Sequence, residues 1–275
     1  MSSKGTVAVS AMLGRWKLGG RWNTFTVGSG TLESTDSTLR FVTTDTSARQ
    51  VTDAQVDDYQ GLPRRRFLWR PPLTMAVRAR FSHPAPGEHD HPHLRGTAGF
   101  GFWSDPFLMT GDRWPALPRA IWFFYASPPS NIKLDLDVPG YGWKAAVIDT
   151  TRRSALLLAP TAPIAIPLMN LPAVYRKLWP FMQRSIGVRE ALVPTDMVDW
   201  HTYTLEWGTC SARFDVDGEP VLDCDESPRG PLGFVIWLDN QYLVATPWGR
   251  FRYGFLGTPG QQWMEVEALS IQSHP

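Results

Sequence analysis

Only two cysteines, Cys210 and Cys224, occur in 275 residues, which excludes a disulfide framework as the source of stability. They flank Asp217-Gly218, a two-residue hairpin signal that would set them nearly opposite each other across two strands. The alternative is a pair of reduced thiols in a cytosolic protein. Net charge is just as scarce. With 27 basic and 26 acidic residues the chain carries +1, so no global field recruits nucleic acid, which is not an expected partner. The first twenty residues, MSSKGTVAVSAMLGRWKLGG, offer Lys4 and then a short apolar run interrupted by Ser10 and Gly14, a poor signal peptide. A cytoplasmic location is therefore expected. There is no internal repeat, no low-complexity tract, no Gly-rich phosphate loop, no G-x-S-x-G elbow and no Cys/His nucleophile pairing.

One long apolar run exists, SALLLAPTAPIAIPLMNLPAVY from Ser154 to Tyr175, without a charged residue. A membrane-spanning helix needs roughly 20 apolar residues. Pro160, Pro163, Pro167 and Pro172 each remove a helix hydrogen bond that lipid cannot replace, which argues against a span. The run leads into PAVYRKLWPFMQRSIG, where Val174, Leu178, Phe181 and Met182 recur at helical spacing and Arg176, Lys177, Gln183 and Arg184 take other positions around the helix. Residues 150–194 thus read as one excursion from the scaffold. Insertions of that length in compact domains serve as lids or binding loops, or are disordered.

What is plentiful is alternation. In LTMAVRARF, Leu73, Met75, Val77, Ala79 and Phe81 share one face, the period of a half-buried strand. TYTLEW, ARFDV and the run around Met264, Val266 and Ala268 repeat it, as antiparallel strands with one wet face do. GFVIWL, Gly233 to Leu238, is continuously apolar and reads as a central strand covered on both sides. Many short strands separated by Gly/Pro turns imply an all-β sandwich or jelly roll, and the length suits a single domain, 1–275. Aromatics are abundant too. The 13 Trp and 14 Phe suit either a ligand-contacting surface or an unusually wide core.

WHTYTLEWGTCSARFDVDGEPV, Trp200 to Val221, resembles the late hairpin of the concanavalin A-like lectin/glucanase superfamily, in particular family 16 glycoside hydrolases and laminin-G-type domains. Trp200, His201, Tyr203, Glu206, Trp207, Val216, Asp217 and Gly218 carry the likeness. GTAGFGFW, Gly96 to Trp103, is similar to the strand that precedes the catalytic strand in that family. The resemblance implies a two-sheet antiparallel jelly roll with a groove across one sheet. It also implies a retaining acid/nucleophile pair on the next strand, where E-x-D-x-E would place two carboxylates roughly 5 Å apart. Here that strand is AIWFFYA, and Trp122 and Phe124 stand where carboxylates are expected. The chain looks like a family member without the family's hydrolytic motif.

Other candidates come from the residues themselves. Asp135 and Asp137 in NIKLDLDVPG read as two carboxylates on one strand face, either an acid/base pair or the solvated side of an amphipathic strand. In WLDNQY, Asp239 and Asn240 follow a buried strand, where ligand-orienting groups or a polar turn belong. His89, His91 and His93 suit a transition metal by ligand type but lack a fourth ligand, so neither metal nor other cofactor is expected. Asp57 and Asp58 in AQVDDY read as a loop, with calcium as the alternative.

The expectation is a non-hydrolytic jelly roll binding an apolar small molecule, such as an isoprenoid or acyl compound, in an aromatic groove. Trp103, Trp122, Phe124 and Trp237 form the walls, Asn240 is a polar contact, and Asp135, Asp137 and Asp239 are candidates for isomerase- or cyclase-type acid/base chemistry. Residues 150–194 act as its lid. One alternative is a divergent hydrolase of a β-glucan. The other is a non-catalytic module binding carbohydrate or a membrane surface peripherally.

Overall fold

In Leu73–Phe81 the five apolar positions are buried and the four residues between them are half-buried, the alternation its sequence predicts. This strand lies inside one of two packed sheets. The computed structural model describes residues 8–11, 20–86, 92–106 and 109–274. Its strands are β1 (Ala8–Ala11), β2 (Asn23–Val27), β3 (Gly30–Ser34), β4 (Leu39–Thr46), β5 (Asp53–Asp57), β6 (Leu73–Phe81), β7 (Thr97–Trp103), β8 (Arg119–Ala126) and β9 (Asn131–Ile132). There follow β10 (Gly142–Asp149), β11 (Arg189–Leu192), β12 (His201–Trp207), β13 (Ala212–Val216), β14 (Glu219–Cys224), β15 (Gly233–Asp239), β16 (Gln241–Ala245), β17 (Phe251–Phe255) and β18 (Thr258–Ser273). One sheet runs β14-β13-β12-β6-β18-β4-β3, with β1 added on β18. The other runs β11-β10-β8-β7-β15-β5-β2, and a small sheet is ordered β17-β16-β9.

The two large antiparallel sheets pack face to face as a jelly-roll sandwich, as the alternation and the resemblance imply. Aromatic rings fill the space between them. Phe100 and Trp143 from one sheet meet Tyr203 from the other at ring-centroid distances of 5.3 and 5.4 Å, and Phe123 meets Phe214 at 5.2 Å. Such edge-on contacts let large rings bridge a wide interior, so part of the aromatic surplus serves the core. All of β15 is buried, as its unbroken apolar sequence predicts.

The hairpin that carries the resemblance is built as expected. Asp217 and Gly218 adopt positive φ of 52° and 86°, the primed turn that suits strand twist. The Asp217 carboxylate accepts from the Thr202 N–H at 2.8 Å and lies 2.6 Å from His201 Nδ1. Trp207 donates to the Pro228 carbonyl oxygen, and Trp200 lies under the guanidinium groups of Arg78 and Arg80. These motif residues hold the sandwich together. Both cysteines are free, Cys210 exposed and Cys224 buried beside Ala212.

Residues 150–188 do leave the sheets, and β11 then rejoins the seven-stranded sheet at its edge, ending the excursion before residue 194. The apolar run is not merely broken by its prolines. It forms α1 (Arg153–Leu158) and α2 (Ala162–Leu168), and α3 (Pro172–Ser185) follows. Pro163 and Pro172 stand in the first turns of α2 and α3, where the missing N–H would have had no partner anyway. No helix among the described residues is long and apolar enough to cross a membrane.

Candidate functional site

The outer face of the seven-stranded sheet, turned away from the sandwich interior, presents its side chains in registered rows. One row runs Lys144, Phe124, Gly99, Trp237, Gln55 and Phe25 across β10, β8, β7, β15, β5 and β2. The next runs Ala146, Trp122, Gly101, Val235, Asp57 and Asn23. Trp122 and Phe124 therefore face outward, half-buried, while Ile121 and Phe123 face the core. Their rings stack at 5.2 Å and 20°, and Trp122 also touches Trp237 at 5.5 Å and Trp103 at 5.8 Å. The four aromatic residues expected to line a groove are thus brought together.

Glycine makes this possible. A Cβ at Gly99 would lie 2.3 Å from the Phe123 carbonyl oxygen and 3.0 Å from the Trp237 ring, and one at Gly101 would lie 2.6 Å from both the Ile121 carbonyl oxygen and Trp122 Cβ. By omitting side chains on this face, β7 lets rings from β8 and β15 lie across it.

Beside the rings lies a set of carboxylates. Asp53 and Asp239 are direct cross-strand partners on this face, and both are buried, with 6% and 4% of their surface exposed. Asp239 accepts from the Thr97 N–H (3.1 Å), Thr97 Oγ1 (2.9 Å), the Gln241 N–H (2.9 Å) and Gln241 Nε2 (2.5 Å). Thr97 Oγ1 in turn accepts from Trp237 Nε1 at 3.0 Å, tying the carboxylate to the ring cluster. Asp53 Oδ1 is buried with no hydrogen-bond partner among the described residues. Burial, then the Asp239 and Asp57 carboxylates, hold Asp53 well above the usual carboxylate range. Burial pushes Asp239 up to about 6, against the donors from Gln241 and Thr97. Two such groups titrate as a unit that keeps one proton where separate carboxylates would have lost theirs. Asp239, with its four donors, is the better host for the charge and Asp53 for the proton. Asp57 is saturated by Asn23, Gln55 and the N–H groups of Tyr59 and Gln60.

This pair has a measurable consequence. Carboxyl groups whose folded pKa lies above the unfolded value of about 3.9 stabilise the fold fully below that value, and the contribution is lost as pH rises through the folded pKa. For Asp239 the loss runs from about pH 4 through about 6, and the raised pKa of Asp53 adds a loss of the same sign as pH rises. Asp53→Asn is expected to flatten the decline in melting temperature between pH 5 and 8, measured calorimetrically. A decline as steep as that of the native chain would refute the shared proton.

Several sequence expectations are corrected. AQVDDY is no loop: Ala54 to Asp57 lie within β5, and Asp57 and Asp58 are buried. Asp135 and Asp137 are not on a strand, since β9 ends at Ile132. Asp135 Oδ1 accepts from the Asp137 N–H at 2.9 Å, and its Oδ2 accepts from Gln183 Nε2 of α3 at 2.5 Å. This local turn draws the backbone away from the ladder. Asn240 is 1% exposed. Its Nδ2 donates to the carbonyl oxygens of Ser47, Gln50 and Leu256 at 3.0–3.1 Å, and its Oδ1 accepts from the Thr52 N–H at 2.8 Å. Nothing remains for a ligand. His89 and His91 lie outside the described residues, and His93 is half-buried. Among the described residues no group of three or more His, Cys, Asp or Glu side chains is placed to hold a metal ion.

The excursion rests on neighbouring loops. Trp179 Nε1 donates to the Leu134 carbonyl oxygen (3.1 Å), Asn170 Nδ2 donates to that of Trp248 (3.2 Å), and the Tyr175 ring meets Trp248 at 5.2 Å. A depression of about 330 Å³ lined by Trp179, Leu134, Lys133 and Phe251 separates α3 from the β16–β17 turn.

Sequence reasoning missed Asp53 and Gln55. The signal was present: in DAQVD, Asp53, Gln55 and Asp57 alternate with Ala54 and Val56.

No family model matches the sequence, and no curated protein matches it. Solved structures do resemble it. The Crh5 transglycosylase superposes with a TM-score of 0.50 at 12% identity, over 98% of this chain and 85% of that one. An endo-β-galactosidase from Clostridium perfringens that releases GlcNAcα1-4Gal superposes with a TM-score of 0.52 at 12% identity, over 98% of this chain and 63% of that one. The protein therefore shares the two-sheet jelly-roll fold of these structures. At 12% identity the likeness is one of fold.

Proposed function

We propose that the protein binds a carbohydrate on the outer face of the seven-stranded sheet, with Trp122, Phe124, Trp237 and Trp103 stacking on sugar rings. The observation that carries this is the continuous ring row adjoining the buried Asp53–Asp239 pair. Broad apolar surface with a few placed polar groups is how orienting sites are built, and aromatic faces suit the C–H-rich faces of sugars. The fold's occurrence in the two carbohydrate-acting enzymes above supports the same ligand class. The outward positions of β8 carry rings where family 16 hydrolysis would need two carboxylates, so any chemistry here rests on Asp53 and Asp239 as acid and base.

Isothermal titration against β-glucan, galactan and chitin oligosaccharides tests the reading. Binding is expected with at least one class, and Trp122→Ala is expected to weaken it by roughly 30-fold or more, the effect of removing a central aromatic anchor, with circular dichroism unchanged. A second reading is favoured by the same rings, which suit an isoprenoid or acyl compound as well, with residues 150–188 shielding it. Failure of every glycan, together with an apolar compound in solvent extracts of protein purified without detergent, would overturn the first reading in favour of the second.

A further inference from the structure

Helices α1 and α2 contain no buried residue, yet they are built almost wholly from apolar side chains. Short helices in water depend on packing an apolar face, and here that face is open. Leu157 is 79% exposed and Ile164 70%, with Leu156, Leu168, Leu171 and Phe181 each near half exposed. The tip of the β16–β17 hairpin continues the surface. A Cβ at Gly249 would lie 2.7 Å from Ile166, Asn170 binds the Trp248 carbonyl oxygen, and Phe251 beyond the turn is 75% exposed.

The two segments themselves carry charge of one sign, with the Asp135 and Asp137 carboxylates of the adjoining turn beside α3. Residues 150–188 include Arg152, Arg153, Arg176, Lys177 and Arg184 and no Asp or Glu, and residues 241–256 add Arg250 and Arg252, again without an acid. Arg152 is engaged by Glu226. The other six cations are exposed. A near-neutral chain has thus gathered exposed aliphatic groups and an excess of exposed cations on two adjoining segments. A patch meant for another copy of itself would bring cations against cations. One meant for a glycan has no reason to expose leucines.

We infer that the surface formed by α1, α2, the exposed side of α3 and the β16–β17 hairpin tip docks on an anionic lipid surface. Leu157, Ile164 and Phe251 enter the headgroup–acyl boundary, and Arg153, Arg176, Lys177, Arg184, Arg250 and Arg252 face the phosphates. This is the division of labour of interfacial helices that lie on one leaflet. It does not depend on which ligand the ring row takes.

Co-sedimentation of the full chain with vesicles of phosphatidylcholine alone, and of phosphatidylcholine with one-third phosphatidylglycerol, tests it. Binding is expected to the anionic vesicles, at least tenfold stronger than to the neutral ones, and to weaken as salt is raised well above about 0.15 M. Leu157→Asp/Ile164→Asp is expected to abolish binding without changing the melting temperature, since both side chains are exposed. Arg176→Glu/Lys177→Glu is expected to erase the preference for anionic lipid. Protein remaining in the supernatant with both vesicles overturns the inference, as does equal binding to both. A concentration-dependent dimer that the Leu157/Ile164 variant dissolves, in the absence of vesicle binding, would also overturn it and make the patch an interface between copies.

Discussion

Lys144→Met is expected to destabilise the fold by about 3–5 kcal/mol, the usual cost of removing one member of a buried ion pair, measured by urea unfolding near neutral pH. Lys144 is 1% exposed, and its Nζ lies 2.7 Å from Glu190 Oε2. The same ammonium donates to the carbonyl oxygens of Pro139 at 3.1 Å and Ile132 at 3.4 Å, so it joins two strands and the loop that crosses them. Burial raises the Glu190 pKa, and Lys144 opposes that rise. Without the lysine, Glu190 must take a proton or remain charged and unpaired, so the deficit of the variant should shrink as pH falls. Lys144→Met/Glu190→Leu should recover most of the loss, because two apolar groups replace both partners. A single-variant loss below about 1 kcal/mol, the range of exposed pairs, would refute the account.

Asn240→Ala should cost about 3 kcal/mol or more. It would strand the buried Thr52 N–H and remove the donor from the part-buried carbonyl oxygens of Ser47 and Gln50, while that of Leu256 keeps Thr46 Oγ1, and each buried unmade hydrogen bond costs about 1–3 kcal/mol. Asn240→Asp should fare no better, since a carboxylate would face those same carbonyl oxygens. If Asn240→Ala instead melted like the native chain and lost ligand, the side chain would belong to the binding surface.

The sandwich was legible because its strands obey a two-residue period that burial enforces. β6 and β12 each place the predicted residues inward. The outward direction of Trp122 and Phe124 was not legible, because AIWFFYA is apolar at every position and a one-residue shift of register would reverse it. Failures arose where local chemistry or burial runs against habit. Asp135 and Asp137 alternate with leucines like a strand, but an aspartate side chain that binds the N–H two residues on favours a turn. Asp53 and Asp57 were hard to place because ionisable groups are seldom fully buried, and DAQVD, buried between β15 and β2, breaks that rule. Pairings such as Lys144 with Glu190, or Asp53 with Asp239, join strands far apart in sequence. No local pattern encodes them.

The bare stretch of β7 at Gly99 and Gly101 also bears on the cost of recognition. Because Trp122 is held between Phe124, Trp237 and Trp103, its rotamer is set when the chain folds. An interfacial side chain that must be ordered at the moment of binding costs about 0.5–1.5 kcal/mol in lost freedom. Here that loss has already been met by folding. Affinity for a flat ring should therefore survive changes in the loops around the sheet far better than a side chain added at either glycine.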